Sequence, residues 1–181
     1  MAILKIARMG HPVLDRPADP IADPAAPEIR RLVTDMIETM MDAPGQGLAA
    51  PQVHVPLRLV VFLKPHDEPG ATGPRDLQVL INPTIEILEG PITLAWEGCL
   101  SVPGLRGRVP RPDRIRYRAF DLEGSAIDRT VSGWHARVVQ HECDHLDGML
   151  YPRRMANLRD LIFDSEIRHR VEAPAAEQEQ D

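Results

Sequence analysis

Along the chain the apolar positions change their period several times. Residues 1–25 establish none, and Pro12, Pro17, Pro20 and Pro24 punctuate what reads as an extended, irregular run. Pro27 then stands where a first-turn proline belongs. Behind it Ile29, Leu32, Val33, Met36, Ile37 and Met40 recur at helical spacing, with Arg30, Arg31, Asp35 and Glu38 on the opposite side. The spacing predicts an amphipathic helix over 27–42, its methionines taken up by core packing. "PGQGLAAPQ" (44–52) closes that helix and opens a loop of small residues. Strand-like runs follow at 57–62, 77–82, 84–90 and 91–96, with the polar insert 66–75 read as a surface loop. Residues 114–131 alternate about Glu123 and Gly124, the pattern of a hairpin with Gly124 in its turn. A helix over 134–147, with Ser132 as its cap and Gly148 as its stop, and a last helix over 156–170 complete the chain.

Strands in runs, helices toward the ends and no βαβ alternation indicate an α+β protein. The expected architecture is small mixed or antiparallel sheets around a central helix, with an N-terminal amphipathic helix and a C-terminal helix. The 181 residues suit one domain, read as 1–170, with an acidic tail over 171–181 too polar to order itself. Proline, at 18 residues, is roughly twice its average share and favours many short elements.

The net charge of -6 changes little, because Glu172, Glu177, Glu179 and Asp181 all fall in that tail without a base. The remainder is nearly neutral, which gives no general affinity for nucleic acid. Lys5 and Arg8 interrupt the start as a signal sequence would not, and no run approaches the ~18 apolar residues of a membrane span. With only Cys99 and Cys143, the expected address is a reducing, bacterial-type cytoplasm, and the expected state is a monomer.

"QHECDHLDG" (140–148) carries the candidate chemistry. At about 100° per residue, His145 follows His141 by about 40°, so both imidazoles leave one face and can reach one ion. Glu142 lies at the edge of that face, within reach of a water beside the ion. Cys143 points about 200° away, on a back face shared with Ala136, Val139 and Leu146, and reads as core. Trp134 and Val138 flank the histidines, as on a helix buried on both sides. A catalytic site needs a third ligand. The residues alone leave two candidates, Glu166 on the expected last helix, as in a metallopeptidase, and Cys99 in "WEGCLSVPG".

Three blocks decide between them: "GQGLAAPQ" (45–52), "EGCLS" (97–101) and "QHECDHLDG" (140–148). Together with "INP" (81–83), "VPGLRGRVPR" (102–111) and "GWHARVVQHE" they resemble, over about residues 1–160, the peptide deformylase family. The resemblance implies metal-dependent removal of the formyl group from the formyl-methionine of nascent peptides. It implies Cys99, His141 and His145 as metal ligands and Glu142 as general acid–base, with Gln52 and the backbone N–H of Leu100 stabilising the oxyanion. It also implies Gly45, Gln46, Gly47, Gly98 and Arg106 on the substrate side, with a surface salt bridge the competing role for Arg106. Glu97 is expected to orient a ligand or its loop. The implied cofactor is one divalent ion, Fe2+ in the cell, with Zn2+, Ni2+ or Co2+ found in purified protein. One position departs from the family: an apolar residue stands between the two glycines there, and Gln46 here, so a looser side-chain pocket is expected. Some family members dock a C-terminal helix on the ribosome. The arginines between Arg153 and Arg170 allow that role, or are simply solvated while Leu158, Leu161, Ile162 and Phe163 pack.

Overall fold

The computed structural model describes residues 2–64 and 76–171. The first helix, α1 (Pro27–Asp42), begins on its proline as expected. It buries Ile29, Val33, Met36 and Met40 against Leu48, Leu59, Val61 and Ile81. Those partners come from β1 (Gly47–Ala49), β2 (Leu59–Leu63) and β3 (Leu77–Ile87). Next come β4 (Ile92–Cys99), β5 (Val102–Pro112), β6 (Arg114–Phe120), β7 (Ala126–Ser132), α2 (Gly133–Leu146), the short β8 (Ile162–Phe163) and α3 (Arg168–Val171). Among the described residues two antiparallel sheets result, one of order β1-β2-β3-β6-β7 and one of order β4-β5-β8. The α+β reading stands.

The core sits where α2 crosses the larger sheet. Ala136, Val139, Cys143 and Leu146 pack on Val60, Phe62, Leu80, Ile115 and Tyr117. This back face is the one expected for Cys143, which is 5% exposed. The β6–β7 hairpin also follows the sequence: Gly124 takes a positive φ of 78°, and Asp121 accepts hydrogen bonds from Glu123 N and Ser125 N.

Three departures from expectation have local causes. The two strands expected at 77–82 and 84–90 are one, β3, which runs through Pro83 with a register shift between Ile81 and Thr84. A bulge tolerates a proline, and Asn82 (φ 51°) stabilises this one by bonding both Ile21 N and Ile21 O. No strand was expected at 102–112, where prolines and glycines hide any alternation. In β5, Pro110 and Pro112 sit beyond the reach of β8, which pairs only with Leu105 and Arg106, so their missing N–H groups break no ladder on that edge.

The largest departure is the last helix expected over 156–170. It is absent as such; single turns at Leu158–Asp160 and Asp164–Glu166 flank β8, and a helix starts only at Arg168. Asn157 accepts from Arg159 N, which satisfies one isolated turn. Leu158 and Phe163 remain 69% and 66% exposed, so no continuous apolar face exists to hold a longer helix down. The insert 66–75 and, Val171 apart, the acidic tail 171–181 lie outside the described residues. Among the described residues no helix is long and apolar enough to cross a membrane.

Candidate metal centre

The two histidines of α2 lie one turn apart with ring centroids 5.1 Å from each other. Cys99 ends β4 at a register shift after Gly98, where the chain turns tightly into β5. That turn carries its Sγ to 3.3 Å from His145 Nε2. Ligand atoms of Cys99, His141 and His145 all lie within 4.8 Å of one another, as one ion requires. Glu166 is outside this group; it is exposed, bonded to Ser165 and 3.8 Å from His169. The peptidase-like alternative therefore has no third ligand.

Glu97 fixes the orientation of His141. Its Oε2 accepts from His141 Nδ1 at 2.8 Å, which assigns the proton to Nδ1 and leaves Nε2 for an ion. Glu97 also accepts from Arg111 Nε and Nη2 at 2.6 and 2.9 Å and from Arg137 Nη1 at 2.7 Å. Arg111 continues to Asp144 at 2.9 Å, and Asp144 to Arg154 at 2.6 Å. Glu97, Arg111, Arg137 and Asp144 are buried, His141 nearly so, and Arg154 is half-exposed. Burial would raise the Glu97 pKa, but His141 and Arg111 outweigh it and hold the carboxyl far below the ordinary range. Sequence reasoning missed Arg111, Arg137 and Asp144. The available signal is that Arg137 and Asp144 are charges on a helix already read as buried on both faces, and such charges need partners.

The same opposition governs the ligands. Burial pushes the Cys99 thiol up, yet His145 and His141 beside it hold it well below its ordinary value, toward the thiolate that binds metals. Burial disfavours charge on His141, yet Cys99 and Glu97 hold it well above the usual imidazole range. Uptake of an ion by this set must therefore release a proton. Thiolate and imidazole donors suit a divalent transition ion.

Of the site residues read from the sequence, all but the fully buried His145 border one cavity of about 570 Å³. Gln52 is clamped at one side: its Oε1 accepts from Ala49 N at 2.8 Å, and its Nε2 lies 3.1 Å from Ser101 Oγ and 3.5 Å from Cys99 Sγ. Glu142 is 5% exposed, its Oε2 has no protein hydrogen-bond partner, and burial raises its pKa. Beside it β1, whose Gly47 also borders the cavity, is a sheet edge. Leu63 N bonds Gln46 O, so Gly47, opposite Phe62, turns its N–H and C=O away from β2 toward that open edge. Gln46 Oε1 accepts from Trp134 Nε1 at 3.1 Å across the mouth, a partner that the sequence did not suggest. Arg106 does form the surface salt bridge weighed for it, with Asp164, while still bordering the cavity.

A family model described as polypeptide deformylase matches residues 3–160. Peptide deformylase 2 of Bordetella bronchiseptica is 51% identical over 154 residues, 84% of this chain and 88% of that protein. Among solved structures, a peptide deformylase from Synechococcus elongatus in complex with actinonin superposes with a TM-score of 0.78 at 35% identity, covering 87% of this chain and 81% of its own. A Met-Ala-Ser-bound class I type b peptide deformylase from Acinetobacter baumannii gives 0.77 at 32% identity, covering 85% and 99%.

Proposed function

The chain belongs to the polypeptide deformylase family, and on that premise we propose that Cys99, His141 and His145 hold its metal while Glu142 moves the proton. As a member it is a metal-dependent hydrolase that removes the N-terminal formyl group from newly synthesised peptides. When bound, a divalent ion at the three ligands supplies Lewis-acid polarisation and makes water a better nucleophile near neutral pH.

The protein's own groups do the rest. Glu142, buried and with its Oε2 without a protein hydrogen-bond partner, takes a proton as water attacks the formyl carbon and returns it to the departing amine. Gln52 Nε2 and the backbone N–H of Leu100 donate to the oxygen that becomes negative; such donors contribute ~3 kcal/mol each to the transition state. Gly47 offers its main chain at the free edge of β1, where a peptide adds as an extra strand, and Gly45 and Gly98 leave room for it. The Met-Ala-Ser peptide held by the Acinetobacter relative is what deformylation of formyl-Met-Ala-Ser would leave.

The observation that carries this reading is the three-ligand cluster with the buried Glu142 beside it, its Oε2 without a protein partner. Anaerobic assay of the iron-loaded protein on formyl-Met-Ala-Ser tests it: formate is released and no peptide bond is cut. Absence of formate from fully metallated protein would refute it. Fe2+ is the ion we assign in the cell, with Zn2+, Ni2+ or Co2+ replacing it on purification, because the donor set accepts all four. Residues 1–170 are read as a single domain, since both sheets contribute to the cavity around α2. Two free cysteines support a cytoplasmic address, and a monomer is the assigned state. The ribosome is retained as a partner through the exposed Arg159, Arg168 and Arg170, carried by turns and a short helix. Salt-sensitive cosedimentation that is lost on truncation at Asn157 is the expected sign of it.

A further inference from the structure

The deformylase match ends at residue 160, yet the chain just beyond it returns to the site. Ile162 and Phe163 pair with Arg106 and Leu105 of β5. The next residue, Asp164, takes Arg106 Nε in an ion pair, and both border the cavity. On its other side Arg106 stands opposite Gly98, the neighbour of Cys99: a Cβ on Gly98 would lie 3.8 Å from Arg106 Cγ and Cζ. The guanidinium therefore lies along the strand that leads to the metal cluster, held there by a carboxylate from outside the matched region.

This pair contributes little to stability, with its side chains 43% and 53% exposed and the backbone of β8 already paired. Its effect is on the charge at the rim. Arg137, the other arginine on the cavity wall, is committed to Glu97, as is His141. Local charge at the rim is thus set by whether Arg106 is neutralised. Cys99, Arg106 and Asp164 border the same cavity, so a peptide that reaches Cys99 with its formyl end and leaves past this pair presents its second and third side chains to it.

We propose that Asp164 is a specificity-determining residue: it holds and neutralises Arg106, and thereby withholds an advantage that acidic residues following formyl-methionine would otherwise have. The inference rests on the deformylase reading and on entry of the peptide along the β1 edge. The test compares kcat/KM of the metal-loaded full chain for formyl-Met-Ala-Asp and formyl-Met-Ala-Lys, with formyl-Met-Ala-Ser as neutral control. In Asp164→Asn the Asp/Lys ratio rises about fivefold at low ionic strength and returns toward the wild-type ratio in 1 M salt. Arg106→Gln moves the ratio in the opposite direction, and Asp164→Glu keeps the wild-type ratio. An unchanged ratio in Asp164→Asn, or an equal loss on all three peptides, would overturn the proposal while leaving deformylation intact. Failure of the wild type to release formate from the neutral peptide would overturn both.

Discussion

A Cβ on Gly47 would stand 2.2 Å from Oε1 of Glu142 and 2.6 Å from its Cδ. The carboxylate thus occupies the volume that a side chain at position 47 would need. From the sequence, Gly47 reads as room for a substrate backbone; it is equally room for the enzyme's own acid–base group. Packing against this glycine therefore helps to define where the Glu142 carboxylate stands.

Gly47→Ala is accordingly expected to displace the carboxylate and lower kcat by about 100-fold or more, while the metal stays. Shortening the acid in the same chain (Glu142→Asp) should restore part of the loss. Steady-state kinetics with metal analysis checks this; a rise in KM at unchanged kcat would mean that Gly47 serves the substrate alone.

Cys99→Ala should lose most of its metal on dialysis, because three ligands become two. Glu166→Ala should retain a full equivalent, since that side chain is exposed and apart from the cluster. Elemental analysis of both variants decides; metal loss in Glu166→Ala would reopen the peptidase-like ligand set.

Glu97→Gln should weaken metal retention by 10–100-fold, on the order usual for groups that orient a ligand, and destabilise the fold by ~3 kcal/mol at pH 7. The pH dependence has a definite sign. Burial alone would raise the Glu97 pKa, but His141 and Arg111 overcome it, so the folded value lies below the ordinary 4.5. Its contribution is therefore present in full above that pH and lost as the pH falls below it. Denaturant melts from pH 7 down to pH 3.5 should show this loss in the wild type and a flatter profile in Glu97→Gln. Parallel profiles would remove Glu97 from the account.

Gln46→Ile removes the acceptor for Trp134 and places an apolar side chain on the cavity mouth. Preference for formyl-methionine over a formylated polar first residue should rise by about tenfold, the scale set by apolar contacts in a pocket. The ratio of kcat/KM values for the two peptides measures it, and an unchanged ratio would show that residue 46 does not face the substrate.

The sequence by itself determined what depends on neighbours along the chain. The period of α1, the turn at Gly124, the common face of His141 and His145 and the burial of Cys143 all follow from local geometry, and the structure repeats them. In the sequence only the family resemblance separates Cys99 from Glu166, since nothing local distinguishes them. Only the tertiary structure could do so, by bringing Cys99 to His145 across 46 positions and Glu97 to His141 across 44. The last segment failed for the same reason. Its apolar residues have helical spacing, but the edge of β5 left open at Leu105 and Arg106 offers Ile162 and Phe163 backbone partners that an isolated helix has no apolar face to match. Periodicity records which side of an element is apolar; which distant surface that side meets is settled only when the sheets close around α2, because burial and hydrogen bonding reward contacts in space regardless of their separation in sequence.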